Sequence, residues 1–156
     1  MPRIVSFDFD GTLSRPAVQR YAKHLVGEKY DVWICTSRCE SMGWVRYDNS
    51  DLFAVAADVG IPYERIIFTR GEWKVKHLPR NTLLHIDNDP CELAEIRDIP
   101  TVDIRKSWSL RRCANILAEW ESLLRHDWSA ETRHVEHMAM LLRHGLPDKT
   151  TLSIRV

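Results

Sequence analysis

Five short runs rich in β-branched, aromatic and aliphatic residues alternate with segments of helical periodicity over residues 3–104, and this alternation limits the fold more than any other feature of the sequence. The runs are 3–9, 31–36, 65–69, 83–87 and 101–104. Between them a helix is expected over 16–26, with Val18, Tyr21, Ala22 and Leu25 at helical spacing, Pro16 in its first turn and Gly27 as stop. Further helices are expected over 50–59, ended by Gly60, over 72–78, ended by Pro79, and over 90–97. Strands that alternate with helices predict a parallel sheet joined by right-handed crossovers. The expected class is therefore α/β, a Rossmann-like three-layer sandwich around a five-stranded parallel sheet. Ligands of such sheets bind at the carboxyl ends of the strands. That rule alone selects Asp8, Asp10, Thr36, residues 69–74 and Asp87.

The chain divides on this reading into a core over 1–106 and a helical extension over 107–156. Within the extension, 109–125 places Leu110, Cys113, Ile116, Leu117, Trp120 and Leu124 on one broad face, and 130–144 carries Val135, Met138, Leu141 and Leu142. Such a face is expected to pack on the core or to form a homodimer contact. The tail over 147–156 reads as a loose end or a short strand. His134 and His137 share a helix face, but no Glu or Cys joins them in a metal pattern, and a solvated polar face is the expectation.

Composition narrows the function classes. Hydrophobic residues make up 44% and charged residues 28%, which excludes disorder over most of the chain. Lys plus Arg and Asp plus Glu both number 22, so no global charge draws the protein to nucleic acid or a membrane. No apolar run approaches the roughly 20 residues of a membrane span, and the N-terminal apolar stretch is interrupted at Asp8, unlike a signal peptide. The four cysteines (Cys35, Cys39, Cys91, Cys113) form no CxxC pair, which suits reduced thiols and a cytoplasmic location.

The chemistry-bearing residues gather at the expected strand ends. Asp8 and Asp10 close the first run, within Asp8-Phe9-Asp10-Gly11-Thr12-Leu13, and Asp87 closes the fourth. Three carboxylates brought together would repel one another unless a cation joined them, and hard oxygen ligands suit Mg²⁺. Thr36-Ser37-Arg38 ends the second run, and Lys74 follows the third.

These residues resemble the four motifs of the haloacid-dehalogenase-like hydrolases. Asp8-Phe9-Asp10-Gly11-Thr12-Leu13 is similar to the first, Ile34-Cys35-Thr36-Ser37-Arg38 to the second, Lys74 to the third and Ile86-Asp87-Asn88-Asp89 to the fourth, in the family's order over roughly 3–104. The resemblance implies that Asp8 attacks phosphorus to form an aspartyl phosphate, and that Asp10 protonates the leaving oxygen and then takes a proton from water. It implies Mg²⁺ held by Asp8, the Asp10 backbone carbonyl and Asp87. The Thr36 hydroxyl and Lys74 would offset phosphoryl charge. Gly11, Thr12, Ser37, Arg38 and Asn88 would line the phosphate, with Gly11 allowing close backbone approach. The second Asp favours phosphoryl hydrolysis over carbon–halogen cleavage. Two alternatives stay open: Lys76 could replace Lys74, and either Asn88 or Asp89 could stand for the family's second acid.

Neither 14–30 nor 38–64 has room for the cap domain that many relatives carry, so the chain resembles the small capless phosphatases, whose open sites suit large substrates. Ile34-Cys35-Thr36-Ser37 and Thr69-Arg70 are also similar to stretches of deoxyribonucleotidases. The expected substrate is a phosphorylated small molecule or nucleic-acid end. Arg38, Arg46 and Arg70 are candidates for a second phosphate, and Trp44, Tyr47 and Trp73 for stacking on a base. A non-catalytic module that binds a phosphorylated ligand is the competing expectation.

Overall fold

The computed structural model describes residues 2–125 and 130–145. Strands β1 (Ile4–Phe7), β2 (Asp31–Thr36), β3 (Ile66–Phe68), β4 (Thr82–Asp87) and β5 (Thr101–Asp103) form one sheet in the order β3-β2-β1-β4-β5, every pairing parallel. Helices α1 (Pro16–Gly27), α2 (Ser50–Val59), α3 (Pro90–Glu95), α4 (Ser109–Arg125) and α5 (Ala130–Met140) complete an α/β fold with helices on both faces. The chain builds outward from β1 through β2 to β3, then returns to the other side of β1 for β4 and β5. The switch point between β1 and β4 is where such sheets open a crevice at their carboxyl ends.

Side-chain alternation explains the two faces. Val5 and Phe7 align with Val32 and Ile34 on β2 and with Leu84 and Ile86 on β4. This row packs under Val18, Ala22 and Leu25 of α1, Leu52, Ala56 and Val59 of α2, and Cys113, Ile116, Leu117 and Trp120 of α4. The extension's first helix therefore belongs to the same core as the sheet. The Trp120 indole N–H donates to the Leu83 carbonyl at 2.8 Å, and Glu121 pairs with Arg3 and accepts from the Tyr30 hydroxyl at 2.9 Å. The opposite face holds a smaller apolar cluster of Cys35, Leu78, Ile96 and Ile99. Beside it runs a polar row, Ser6 and His85, that leads toward Asp8 and Asp87.

The expected elements are present, with corrected ends. The first strand stops at Phe7 rather than residue 9, because the chain turns immediately after Asp8. The helix expected over 72–78 is a single tight turn, Lys74–Lys76. Arg70 and Gly71 have positive φ (57° and 82°), Trp73 is extended and Pro79 follows, so no longer helix can propagate. The helix expected over 90–97 ends at Glu95, where Ile96 turns extended to bury its side chain. The expected 130–144 helix is α5 followed by a widened turn, Leu141–Gly145. The tail over 147–156 lies outside the described residues.

Candidate active site

The segment after β1 is shaped by its glycine. Asp8 N–H still donates to the Ile86 carbonyl at 2.8 Å, so Asp8 continues the sheet edge, and the chain then turns so that Leu13 N–H returns to the Asp8 carbonyl at 3.1 Å. Gly11 sits at φ 74°, a conformation L side chains avoid. A Cβ there would lie 2.3 Å from one terminal atom of the Asn88 amide. Glycine is therefore required here by the close approach of Asn88. Thr12, fully buried, donates its hydroxyl to Asp8 Oδ2 at 3.1 Å.

Lys74 is the centre of the site. Its side chain is 3% exposed, and Nζ lies 2.7 Å from Asp8 Oδ1 and 2.7 Å from Asp87 Oδ2. Its backbone N–H donates to Glu92 Oε2 at 3.1 Å, a buried contact from α3 that sequence reasoning missed. Lys76 is exposed and does not share this position. Asn88 and Asp89 face different ways. Asp89 caps α3, accepting from Cys91 N–H at 2.9 Å, while Asn88 turns into the site.

Asp87, an expected metal ligand, is hydrogen-bonded at both carboxylate oxygens. Its Oδ1 accepts the backbone N–H groups of Asn88 and Asp89 (2.8 and 3.0 Å), and its Oδ2 faces Lys74 and His85 Nε2 (2.7 and 2.9 Å). Both oxygens are engaged, and among the described residues no three His, Cys, Asp or Glu side chains converge as a metal set. A different set of donors does converge. One terminal atom of the Asn88 amide lies 2.9 Å from Asp8 Oδ2 and 3.2 Å from the Asp10 carbonyl oxygen. With no cation between them, that atom must be the NH₂ group, donating to both oxygens. With the amide turned over, its oxygen would lie at these distances from the other two. Both spacings fit neighbouring ligands of a cation, since adjacent oxygens of an octahedral Mg²⁺ at about 2.1 Å are about 3 Å apart.

Asp10 contributes its carbonyl to this cluster but not its side chain. Arg38 holds the carboxylate by both oxygens, Nη2 to Oδ1 at 2.7 Å and Nε to Oδ2 at 2.9 Å, and binds Asp51 by both oxygens as well (2.7 and 2.9 Å). Its guanidinium also lies over the Phe9 ring, 4.9 Å from the centroid. Thr36, fully buried at the end of β2, accepts the Arg38 N–H at 3.2 Å. Ser37 is exposed, and its carbonyl accepts Gly71 N–H at 3.0 Å. Thr69 closes β3 beside Thr36, its own N–H on the Thr36 carbonyl at 2.8 Å and its buried hydroxyl without a partner.

Electrostatics follow from this packing. Burial, and then the neighbouring Asp87 charge, raise the Asp8 carboxyl to about 6 against the opposing pull of Lys74. Burial would also raise Asp87, but the His85 and Lys74 contacts outweigh it and hold that carboxyl below the usual range. The two carboxylates likewise outweigh burial at Lys74 and keep it protonated. Cys35 is buried, and burial pushes its thiol up to about 12, so it is no nucleophile. His137 is half-buried against the Trp120 ring, centroids 5.2 Å apart, rather than solvated.

The chain matches no protein-family model, no curated protein and no solved structure.

Proposed function

We propose that this chain is a cation-dependent phosphohydrolase working through an aspartyl phosphate on Asp8. The observation that carries the reading is the convergence of Asp8, Lys74 and Asn88 at the β1–β4 switch point. One carboxylate oxygen of Asp8 faces a buried ammonium, and the other faces two further oxygen donors. Asp8 Oδ1 attacks phosphorus beside Lys74, whose charge offsets that of the phosphoryl oxygens. Asp10 gives a proton to the leaving oxygen and later takes one from the attacking water. Asp8 Oδ2, the Asp10 carbonyl and Asn88 Oδ1 would hold Mg²⁺, which would supply charge neutralisation at the phosphoryl group. Asp87, also expected as a ligand, contacts Lys74 through Oδ2.

The substrate class we favour is a nucleotide or nucleic-acid-end phosphate. Asp10 is 58% exposed, and the rim presents Trp44, 90% exposed, with Tyr47, Trp73, Arg46 and Arg70 also exposed. Backbone bonds from Arg70 and Gly71 to Arg38 and Ser37 (3.2 and 3.0 Å) tie the two rim loops together. Exposed rings beside cations suit stacked bases and their phosphates. A second reading, a non-catalytic module that binds a phosphorylated ligand, draws on the Arg38 clamp, which engages both oxygens of the Asp10 carboxylate.

Phosphate release tests these readings, with Mg²⁺, from nucleoside monophosphates, 3′- and 5′-phosphorylated oligonucleotides, sugar phosphates and phosphopeptides. Release that requires Mg²⁺ and is lost in Asp8→Asn supports hydrolysis, and the best substrate sets the class. Binding of phosphorylated ligands without release supports the module.

A further inference from the structure

We propose that His85, with Ser6, is a positioning residue that aims Lys74 at Asp8 by holding Asp87. The inference rests on the phosphohydrolase reading for its kinetic consequence but not for its geometry. His85 lies in the middle of β4, fully buried, and Ser6 is its register partner on β1, also fully buried. Nδ1 is 3.0 Å from Ser6 Oγ, and Nε2 is 2.9 Å from Asp87 Oδ2. Asp87 Oδ2 is in turn 2.7 Å from Lys74 Nζ, which is 2.7 Å from Asp8 Oδ1. A continuous polar chain thus runs from the sheet interior to the attacking oxygen.

Such a pair is costly where it stands. Burying an imidazole and a hydroxyl between strands forfeits hydration that only good hydrogen bonds recover. On the other face of the same strands, the matching pairs are Val5 with Leu84 and Phe7 with Ile86, apolar throughout. The polar pair is therefore local to the row that leads to the site.

The contacts fix the donor toward Asp87. Its carboxylate is an acceptor, so Nε2 carries a proton and donates to it, while Nδ1 meets the Ser6 hydroxyl. Asp87 has its other oxygen fixed by two backbone N–H groups. The His85 donor removes its remaining freedom, and Lys74 is left one place to sit.

The test compares His85→Gln, whose amide nitrogen reaches about as far as Nε2, with His85→Asn, which reaches only the Nδ1 position. Thermal unfolding of both variants screens for folding. The expected kinetics are a kcat loss of about 10–100-fold in His85→Asn with KM little changed, and recovery of most of that loss in His85→Gln. Equal losses in two folded variants, or a loss in KM alone, would overturn the proposal. A readout independent of turnover uses nitrogen-resolved NMR of the wild type. It should show a proton on Nε2 of His85 and a slowly exchanging Lys74 ammonium that becomes fast in His85→Asn. An Nε2 without a proton, or Lys74 exchange unaffected by His85→Asn, contradicts the positioning role. Inactivity of the wild type with the expected NMR result would instead strike only the phosphohydrolase reading.

Discussion

Arg38 grips both carboxylate oxygens of Asp10, at 2.7 and 2.9 Å, and so occupies the side chain assigned to proton transfer. A carboxylate receiving two guanidinium hydrogen bonds must give them up before it can protonate a leaving oxygen. Asp51 holds the other side of the guanidinium and could retain Arg38 when Asp10 leaves. Phosphohydrolysis therefore requires this clamp to open. Asp51→Asn should hold Arg38 more tightly on Asp10 and lower kcat, whereas Asp10→Asn should abolish turnover and leave binding of a phosphate analogue such as tungstate intact. Steady-state rates and calorimetric binding check both. Unchanged turnover in Asp10→Asn would remove its acid–base role.

Gly11 and Asn88 form the second dependency. A methyl group at position 11 would meet the Asn88 amide at 2.3 Å on a backbone with φ 74°. Gly11→Ala should cost about 1–2 kcal/mol for the left-handed backbone alone. It should also displace Asn88 and weaken Mg²⁺ binding, as should Asn88→Ala without the backbone penalty. Asp89→Ala should leave Mg²⁺ affinity unchanged, because Asp89 caps α3. Isothermal titration with Mg²⁺ reads all three.

The raised Asp8 carboxyl makes metal-free stability depend on pH in a defined direction. A carboxyl with a folded-state value near 6 contributes stability that is complete below the ordinary carboxylate value and is lost as pH rises through about 6. Asp8→Asn mimics the protonated form at every pH. Metal-free Asp8→Asn should therefore be more stable than wild type at about pH 8, by an order of 2–3 kcal/mol, and nearly equal at about pH 4. Added Mg²⁺ should raise the wild-type melting temperature at the higher pH and leave Asp8→Asn nearly unmoved. Denaturant unfolding at the two pH values measures the difference.

Trp120 ties α4 to the sheet through its hydrogen bond to the Leu83 carbonyl and its burial in the main core. Trp120→Phe keeps most of the ring but loses the donor, and should destabilise the fold by about 1–3 kcal/mol. Urea unfolding should show a single transition in both proteins, because α4 shares its core with the sheet.

The sheet was legible in the sequence because buried parallel strands read as near-continuous apolar runs, and β1 and β4 are buried along their whole length. Asp8 and Lys74 were legible as well, since each stands at or just beyond a strand end, where the fold gathers its ligand site. What sequence could not supply was which atoms face inward. Asp87 was legible as a strand-end carboxylate of the site. Its contacts to backbone N–H groups and to Lys74 and His85 were not, because only the folded chain brings these groups to it. Asn88 supplies the inward donor because the backbone after Asp87 turns Asp89 toward α3. Glu92 and Ser6 gave no signal: a Glu on a helix reads as solvated, and a Ser in a strand as incidental. His85 could have been noticed as a titratable residue within an otherwise apolar strand. The 72–78 segment forms only a single turn because Trp73 is extended, which a helical pattern of residues cannot show.

The most direct test of the central claim is mass analysis of the protein after acid quench during turnover of p-nitrophenyl phosphate with Mg²⁺. Hydrolysis through Asp8 predicts a phosphoryl adduct on the peptide carrying Asp8, absent in Asp8→Asn and accumulating in Asp10→Asn if that variant still accepts the phosphoryl group. Phosphate release with no adduct on that peptide, and at an undiminished rate in Asp8→Asn, would contradict it.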